Sequence, residues 1–306
     1  MSSILVVGSL AYDDVQTPVE RRTGVLGGAA SYFAIAARLY APVRLVGVIG
    51  DDFRAEDVER LRSRGVDLAG LERADGPSFR WRGRYHHDLN AAETLETHLG
   101  VFSRFSPKIP EQFREAPFVF LGNIDPRLQL DVLNQVERPR LVACDTMNFW
   151  IQSRRPDLLE LLRKVDLVTL NDGEARQLSE KVNLVQAARW IMDLGPRHVI
   201  IKKGEHGALM FSRDSVFFAP AYPLESVFDP TGAGDSFAGG FIGYLTRCND
   251  MSDASMRRAV IYGSAMGSFA VEKFSTERLM TLTRSEVDQR VRQLRELTTF
   301  EEELPS

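Results

Sequence analysis

The chain has 306 residues, 44% of them apolar and 26% charged, proportions that exclude a wholly disordered chain and leave material for a large core. Its 38 Lys and Arg against 42 Asp and Glu give a formal charge of −4, so wholesale nucleic-acid binding has no electrostatic basis. The two cysteines, Cys144 and Cys248, are too few for a disulfide framework and lack metal-site spacing; both read as partly buried thiols.

Residues 1–8 have neither a basic start nor a long apolar stretch and read as a first β-strand at Ile4–Val7, not a signal peptide. With no run of ~18 apolar residues, no membrane span is expected, and a reducing cytoplasm is the expected compartment. Residues 13–26, polar with Pro18 and Gly24, come next. An Ala-rich helix is predicted over 29–39, a strand over Val43–Ile49, and a helix over 56–64 with Val58 and Leu61 three apart and Gly65 as its C-cap. The stretch 71–105 is irregular, but Ser78–Tyr85 alternates, with Phe79, Trp81 and Tyr85 opposite Arg80, Arg82 and Arg84, the period of a two-faced strand. Residues 94–99 pair with it as a second strand, making an antiparallel flap. Strands follow at Phe118–Leu121, 141–144, 167–170 and 199–201, with helices at 156–164 and 183–194 between them. Short β-rich apolar runs alternating with helices predict a parallel sheet buried on both faces. Residues 300–306 read as a frayed acidic tail.

The sharpest motif is Asp229-Pro230-Thr231-Gly232-Ala233-Gly234-Asp235, set between an apparent strand end at 227–228 and a helix carrying Phe237, Phe241 and Leu245. Small residues there let backbone N–H groups converge on one anion, and a helix N-terminus adds its dipole. Asp235 has two readings from spacing alone. It is either an acidic first-turn residue favoured by the dipole, or a base that takes a hydroxyl proton beside an anion hole. The motif is not a Walker A loop, and Gly8-Ser9-Leu10 lacks the remaining glycines of a dinucleotide fingerprint.

This signature resembles that of the ribokinase-like (PfkB) family of carbohydrate and nucleoside kinases. The resemblance covers nearly the whole chain in order: Gly8-Ser9-Leu10-Ala11-Tyr12-Asp13, Gly27-Gly28 before an Ala-rich helix, Gly50-Asp51-Asp52, Asn171-Asp172-Gly173-Glu174, and Lys202-Lys203-Gly204-Glu205-His206-Gly207-Ala208. It implies the α/β class, with a Rossmann-like three-layer α/β/α core as one kinase domain over 1–306. The lid is expected to form from about 13–26 and 71–105. It also implies ATP as donor, Mg²⁺ as cofactor, and a sugar or nucleoside as the small-molecule acceptor. No nucleic-acid or membrane partner is expected; some relatives dimerise through the lid, and by that analogy alone a homodimer is one open assembly, the sequence itself leaving the oligomeric state undetermined.

By the same resemblance Asp235 is the general base, and Gly232, Ala233 and Gly234 supply the anion hole. Asp13, Gly27, Gly28, Tyr32 and Asn123 border the acceptor, with Asp14 the rival of Asp13. Asn171, Lys202, Gly204, Gly207, Thr231 and Ser264 border the nucleotide, while Glu174 and Asp145 organise hydrated Mg²⁺. Plainer readings stand beside these. Asn171 and Glu174, three apart, make a capping box. Asp13 suits an Asx turn, Gly27-Gly28 a tight turn, and Asn123 and Asp145 strand-end turns. Asp229 shapes its loop or holds a monovalent cation such as K⁺, as in some relatives. His86, His87 and His98 read as exposed flap residues, and Phe79, Trp81 and Tyr85 as flap packing.

Three positions depart from the family pattern: Tyr32 stands for Asn after the di-glycine, Lys202 for Thr or Ser, and Ser264 for Asn. The catalytic centre is intact and the pockets altered, which points to an unusual acceptor. The alternatives are a sugar-phosphate kinase, supported by the arginine stripe 80–84, and a non-catalytic sugar- or nucleotide-binding regulator on the same fold. An NAD-type oxidoreductase is a distant third, lacking its glycine fingerprint.

Overall fold

The computed structural model describes residues 2–299; the expected acidic tail at 300–306 lies outside them. The chain builds nine strands into one sheet and four into another. The large sheet holds β1 (Ile4–Val7), β4 (Val43–Ile49), β5 (Val66–Arg73), β8 (Phe118–Leu121), β9 (Leu141–Asp145), β10 (Leu167–Asn171), β11 (His198–Lys202), β12 (Ala208–Phe211) and β13 (Val216–Ala219). Their spatial order is β13-β12-β11-β10-β9-β8-β1-β4-β5. From β11 to β5 every pairing is parallel, and β12 and β13 add an antiparallel edge. The order reverses beside β1, and open α/β sheets bind ligands at such a switch point, outside the carboxyl ends of the strands.

Successive side chains of a strand face opposite ways, so the uninterrupted apolar runs supply two cores at once. Ile4, Val6, Phe118 and Phe120 enter one core; Leu5, Val7, Val119 and Leu121 enter the other. Against the first pack α1 (Ala29–Ala37), α2 (Ala55–Ser63), α9 (Ala233–Cys248), α10 (Asp253–Ala270), α11 (Glu277–Thr281) and α12 (Arg284–Glu296). Against the second pack α3 (Glu111–Arg114), α4 (Pro126–Leu133), α5 (Asn148–Ser153), α6 (Arg155–Leu162), α7 (Asp172–Ser179) and α8 (Leu184–Leu194). This is the expected three-layer α/β/α core. Among the described residues no helix is long and apolar enough to cross a membrane.

The small sheet, in the order β3-β2-β6-β7, joins β2 (Ala11–Gln16), β3 (Arg21–Gly27), β6 (Phe79–Tyr85) and β7 (Ala92–His98). It corrects the expected flap in three ways. β2 and β6 run parallel, so the sheet is mixed. Residues 71–73 finish β5 of the large sheet, and Val101, Phe102 and Phe105 are buried in its second core, because an apolar run at the end of the excursion gains more by rejoining the core than by staying with the flap. The sheet also begins at Ala11, not at 13. Elsewhere, residues 227–228 belong to an irregular connection after β13, where Phe228 stays 37% exposed. Cys144 is buried as a strand residue, whereas Cys248 at the end of α9 is exposed.

Every residue of α1 is buried, as expected of a helix held between the sheet and a second helix. Phe33 stacks on Phe120 of the sheet at 4.2 Å between ring centroids, and α9 lies on the other side. A Cβ at Gly239 would come within 2.6 Å of Phe33 O and 2.7 Å of Ala36 Cβ, so the two helices touch backbone to backbone. Gly239→Val is expected to destabilise the protein by about 1–3 kcal/mol, the usual cost of overpacking, read as a lower midpoint in urea unfolding.

Candidate active site

Three remote stretches meet at the switch point. The turn after β1 is tied to α1, with Ala29 N–H donating to Ser9 Oγ at 3.1 Å and Ala30 N–H to Ser9 O at 3.0 Å. Gly28 begins α1 at φ +92°, where a Cβ would lie 2.4 Å from Ser9 O. A Cβ at Gly27 would lie 1.9 Å from Asp13 Oδ2. The di-glycine therefore admits the Asp13 carboxylate against the main chain. Asp13 sits inside β2, not in the Asx turn that was its plain reading. It is 3% exposed, and burial, then Asp229 and Asp235, push its carboxyl well above the usual range. Asp14, the rival position, turns to the other face and accepts from Gly24 N–H at 2.7 Å.

The second stretch is the Asp229–Asp235 loop. Asp229 is fully buried and accepts from Thr231 N–H and Ser275 N–H, each at 2.9 Å; it shapes the loop. Gly232 starts α9 in the left-handed region at φ +74°, and no side chain caps that end. A Cβ at 232 would strike the Tyr32 ring at 2.3 Å. Tyr32, expected to line the acceptor pocket, is thus the floor under this turn: it is 1% exposed and its hydroxyl has no hydrogen-bond partner among the described residues. Of the three residues expected to form an anion hole, Ala233 donates its N–H to Pro230 O at 3.2 Å, while the Gly234 N–H makes no bond among the described residues. Burial, then Asp145, raise the half-buried Asp235 carboxyl to about 7, against the opposing pull of Lys202.

The third group lies at the ends of β9, β10 and β11. Asn171 caps α7, with Glu174 N–H donating to Asn171 Oδ1 at 2.8 Å and Asn171 N–H to Glu174 Oε2 at 2.7 Å. This is the capping box that the spacing predicted. It also fixes Glu174 in a buried place, where burial and Asp145 raise its carboxyl to about 7. Asp145 is not free in this structure: it accepts from Thr146 N–H at 2.8 Å and forms an ion pair with Lys202 Nζ at 2.9 Å. Burial lowers the Lys202 ammonium, but Asp145 and Glu174 outweigh that and raise it.

Asn123 follows β8, and its Oδ1 is buried without a hydrogen-bond partner among the described residues. Ser264 is buried in α10, beside the Gly263 that packs on Phe237. Gly204 and Gly207 bound the turn after β11 at φ +54° and +83°.

The sequence missed three contributors. Gln129 of α4 donates to Gly122 O at 2.8 Å and Asp145 O at 3.1 Å, binding the ends of β8 and β9. Tyr85 of β6 accepts from Thr231 Oγ1 at 3.3 Å. Asn90, at the β6–β7 tip, accepts from Glu205 N–H at 3.2 Å and donates to Glu205 Oε1 at 3.3 Å, and so docks the small sheet on the 204–207 turn. Asn90 carries a local turn signal, Asp88 Oδ1 accepting its N–H at 2.9 Å, but its distant partner has none.

The arginine stripe faces away from this site. Arg82 and Arg84 pair in register with Asp14 and Gln16, opposite the face of Asp13, Val15 and Tyr85. They meet Glu96 at 3.4 Å and Glu93 at 3.9 Å, and with Arg21 they line a cavity of about 170 Å³. Arg80 pairs with Asp52 at 3.2 Å. The support for a phosphorylated acceptor is therefore withdrawn. His86, His87 and His98 are exposed, as expected.

The profile described as "pfkB family carbohydrate kinase" matches residues 1–282. The chain belongs to the PfkB family of carbohydrate kinases. This PfkB kinase is 32% identical over 253 residues to the cytidine kinase of Thermococcus kodakarensis, covering 81% of its own length and 90% of that protein. It is 27% identical over 286 residues to the aminoimidazole riboside kinase of Salmonella typhimurium, covering 89% of each. Its fold matches that of the Burkholderia thailandensis nucleoside kinase in complex with inosine, with a TM-score of 0.78 at 22% identity over 95% of this chain and 98% of that one.

The raised carboxyls set a linkage. Asp235 and Glu174 move from 3.8 and 4.5 up to about 7, so the folded form holds their protons longer than the unfolded form does. Their stabilising contribution is full below ~4 and is lost as pH rises through ~7. Asp235→Asn is expected to melt several degrees above the wild type at pH 8, the gap closing near pH 4. Thermal melts across that window check it.

Proposed function

We propose that this kinase transfers the terminal phosphoryl group of ATP to a hydroxyl of a nucleoside. Two curated relatives act on nucleosides by name, one of them 32% identical over most of the chain. The observation that carries the chemistry is Asp235 itself. Its carboxyl titrates near neutrality at the start of a helix whose first turn is uncapped and glycine-flanked. A base of that pKa takes a proton efficiently at neutral pH, and an oriented N-terminal turn stabilises the charge of the phosphoryl group in flight. Asp13, facing the site from β2, suits the acceptor's remaining hydroxyls.

Glu174 and Asp145 fit a hydrated Mg²⁺. They are hard oxygen donors whose like charges disfavour ionisation of Glu174, and a divalent cation relieves that repulsion while keeping most of its waters. When bound, the ion would neutralise phosphate charge. The small sheet acts as a lid that excludes water, contacting the signature loop through Tyr85 and the 204–207 turn through Asn90.

Asp235→Asn is expected to lower kcat by ~10²–10⁴ with the fold retained, measured as ADP release with a panel of nucleosides and free sugars. Turnover of free sugars alone would overturn the nucleoside reading. Tight binding of a nucleoside with no turnover on any acceptor would favour the regulator. For the lid, Asn90→Ala is expected to raise KM for the acceptor ~3–10-fold and to increase acceptor-independent ATP hydrolysis, since looser closure admits water. Unchanged values of both would remove the lid tip from the mechanism.

A further inference from the structure

Lys202 ends β11 in register with Asn171 at the end of β10. Its ammonium lies 2.9 Å from Asp145 Oδ2, and a Cβ built on Gly234 would be 2.9 Å from Nζ. The same ammonium thus pairs with the end of β9 and occupies the space that a side chain at 234 in the α9 turn would need. The charged groups that face it are Asp145, Glu174 and Asp235, three carboxylates from three different elements. A polyphosphate entering the turn meets that surplus of negative charge, with Lys202 the cation beside the Gly234 N–H.

We propose that Lys202 is a catalytic residue that exchanges Asp145 for the terminal phosphate of the nucleotide. In the nucleotide-free protein the ammonium rests on Asp145, already alongside Gly234. On loading it turns to the phosphate, where a charge-assisted hydrogen bond and its full positive charge hold the group being transferred. The exchange also releases Asp145 Oδ2 for the water shell of Mg²⁺. The proposal rests on the reading of this site as an ATP site. The plain alternative is a strut: a buried ion pair that only ties β9 to β11.

The test is nucleotide binding without metal. Calorimetric titration in EDTA compares ADP with a non-hydrolysable ATP analogue, on the wild type, Lys202→Met and the double variant Lys202→Met/Asp145→Asn. The wild type is expected to favour the analogue, and Lys202→Met to lose ~10–100-fold of that preference, the worth of a charged hydrogen bond, with ADP affinity nearly kept. Lys202→Met strands Asp145 without its counter-charge, so its melting temperature falls; the double variant recovers stability but not the preference. With Mg²⁺ and acceptor, Lys202→Met is expected to reduce kcat more than KM for ATP, and Lys202→Arg to restore part of it. If both variants keep the wild-type preference, Lys202 is the strut and the proposal is overturned. If the wild type binds neither nucleotide, the ATP-site reading itself fails, and the proposal with it.

Discussion

The contact on which the site depends is the close packing of α9 on α1. Backbone approach at Gly239 fixes the distance between the helices, and Tyr32 under Gly232 fixes the height of the α9 turn. Because α1 is anchored by Ser9 at one end and stacked through Phe33 on the sheet, the signature loop is positioned by the rigid core and not by its own sequence. A turn that binds an anion through backbone N–H groups gains from this arrangement, since preorganised donors need not reorient during reaction. The di-glycine serves the same geometry from the other side: it lets Asp13 approach the main chain closely, so acceptor-side and phosphate-side groups are set by one helix.

The electrostatics follow from burial. Asp13, Asp229 and Asp235 crowd one side of the turn, Asp145 and Glu174 the other, and burial is the first cause of each upward shift seen at Asp13, Asp229, Asp235 and Glu174. Such a cluster costs folding free energy unless something neutralises it. Asp229 is relieved by two backbone N–H groups and Asp145 pairs with Lys202, while Asp13, Asp235 and Glu174 keep carboxyls raised above the usual range. The proposed roles, proton acceptance at Asp235 and a divalent cation at Glu174, fall on two of these three groups. Perturbed groups gathered in one cleft are the pattern expected where chemistry is done.

Features set by near neighbours were legible in the sequence. Six apolar runs became strands because burial on both faces leaves no polar alternation to confuse the reading, and the Asn171–Glu174 cap followed from a three-residue spacing. Edge strands were harder: β5 and β13 mix exposed and buried residues, and Val227-Phe228 imitated a strand in an irregular connection. The Lys202–Asp145 pair joins residues 57 apart, and Asn90 meets Glu205 across 115. Neither can be read before the order β11-β10-β9 and the docking of the small sheet are known. The Asx-turn reading of Asp13 failed for a related reason, since nothing local distinguishes a turn residue after β1 from one inside a strand of a second sheet.

The small sheet has a division of labour that the alternation of β6 already contained. One face, with Asp13, Val15 and Tyr85, turns to the site; Val15 and Tyr85 pack against Phe274 in a small apolar cluster. The other carries arginines paired with glutamates in solvent. Exposed pairs of that kind contribute little to stability, so the sheet's attachment rests on its apolar face and on polar contacts such as Tyr12 with Asp57 and Ser275 with Leu26 O; two more, Tyr85 with Thr231 and Asn90 with Glu205, meet the loops of the site. One contact lies at the loop that would bind the transferring group and the other at the turn expected to cover the nucleotide. If the sheet serves as the proposed lid, it touches both loops at once, and by linkage each ligand would then favour the other by the same factor.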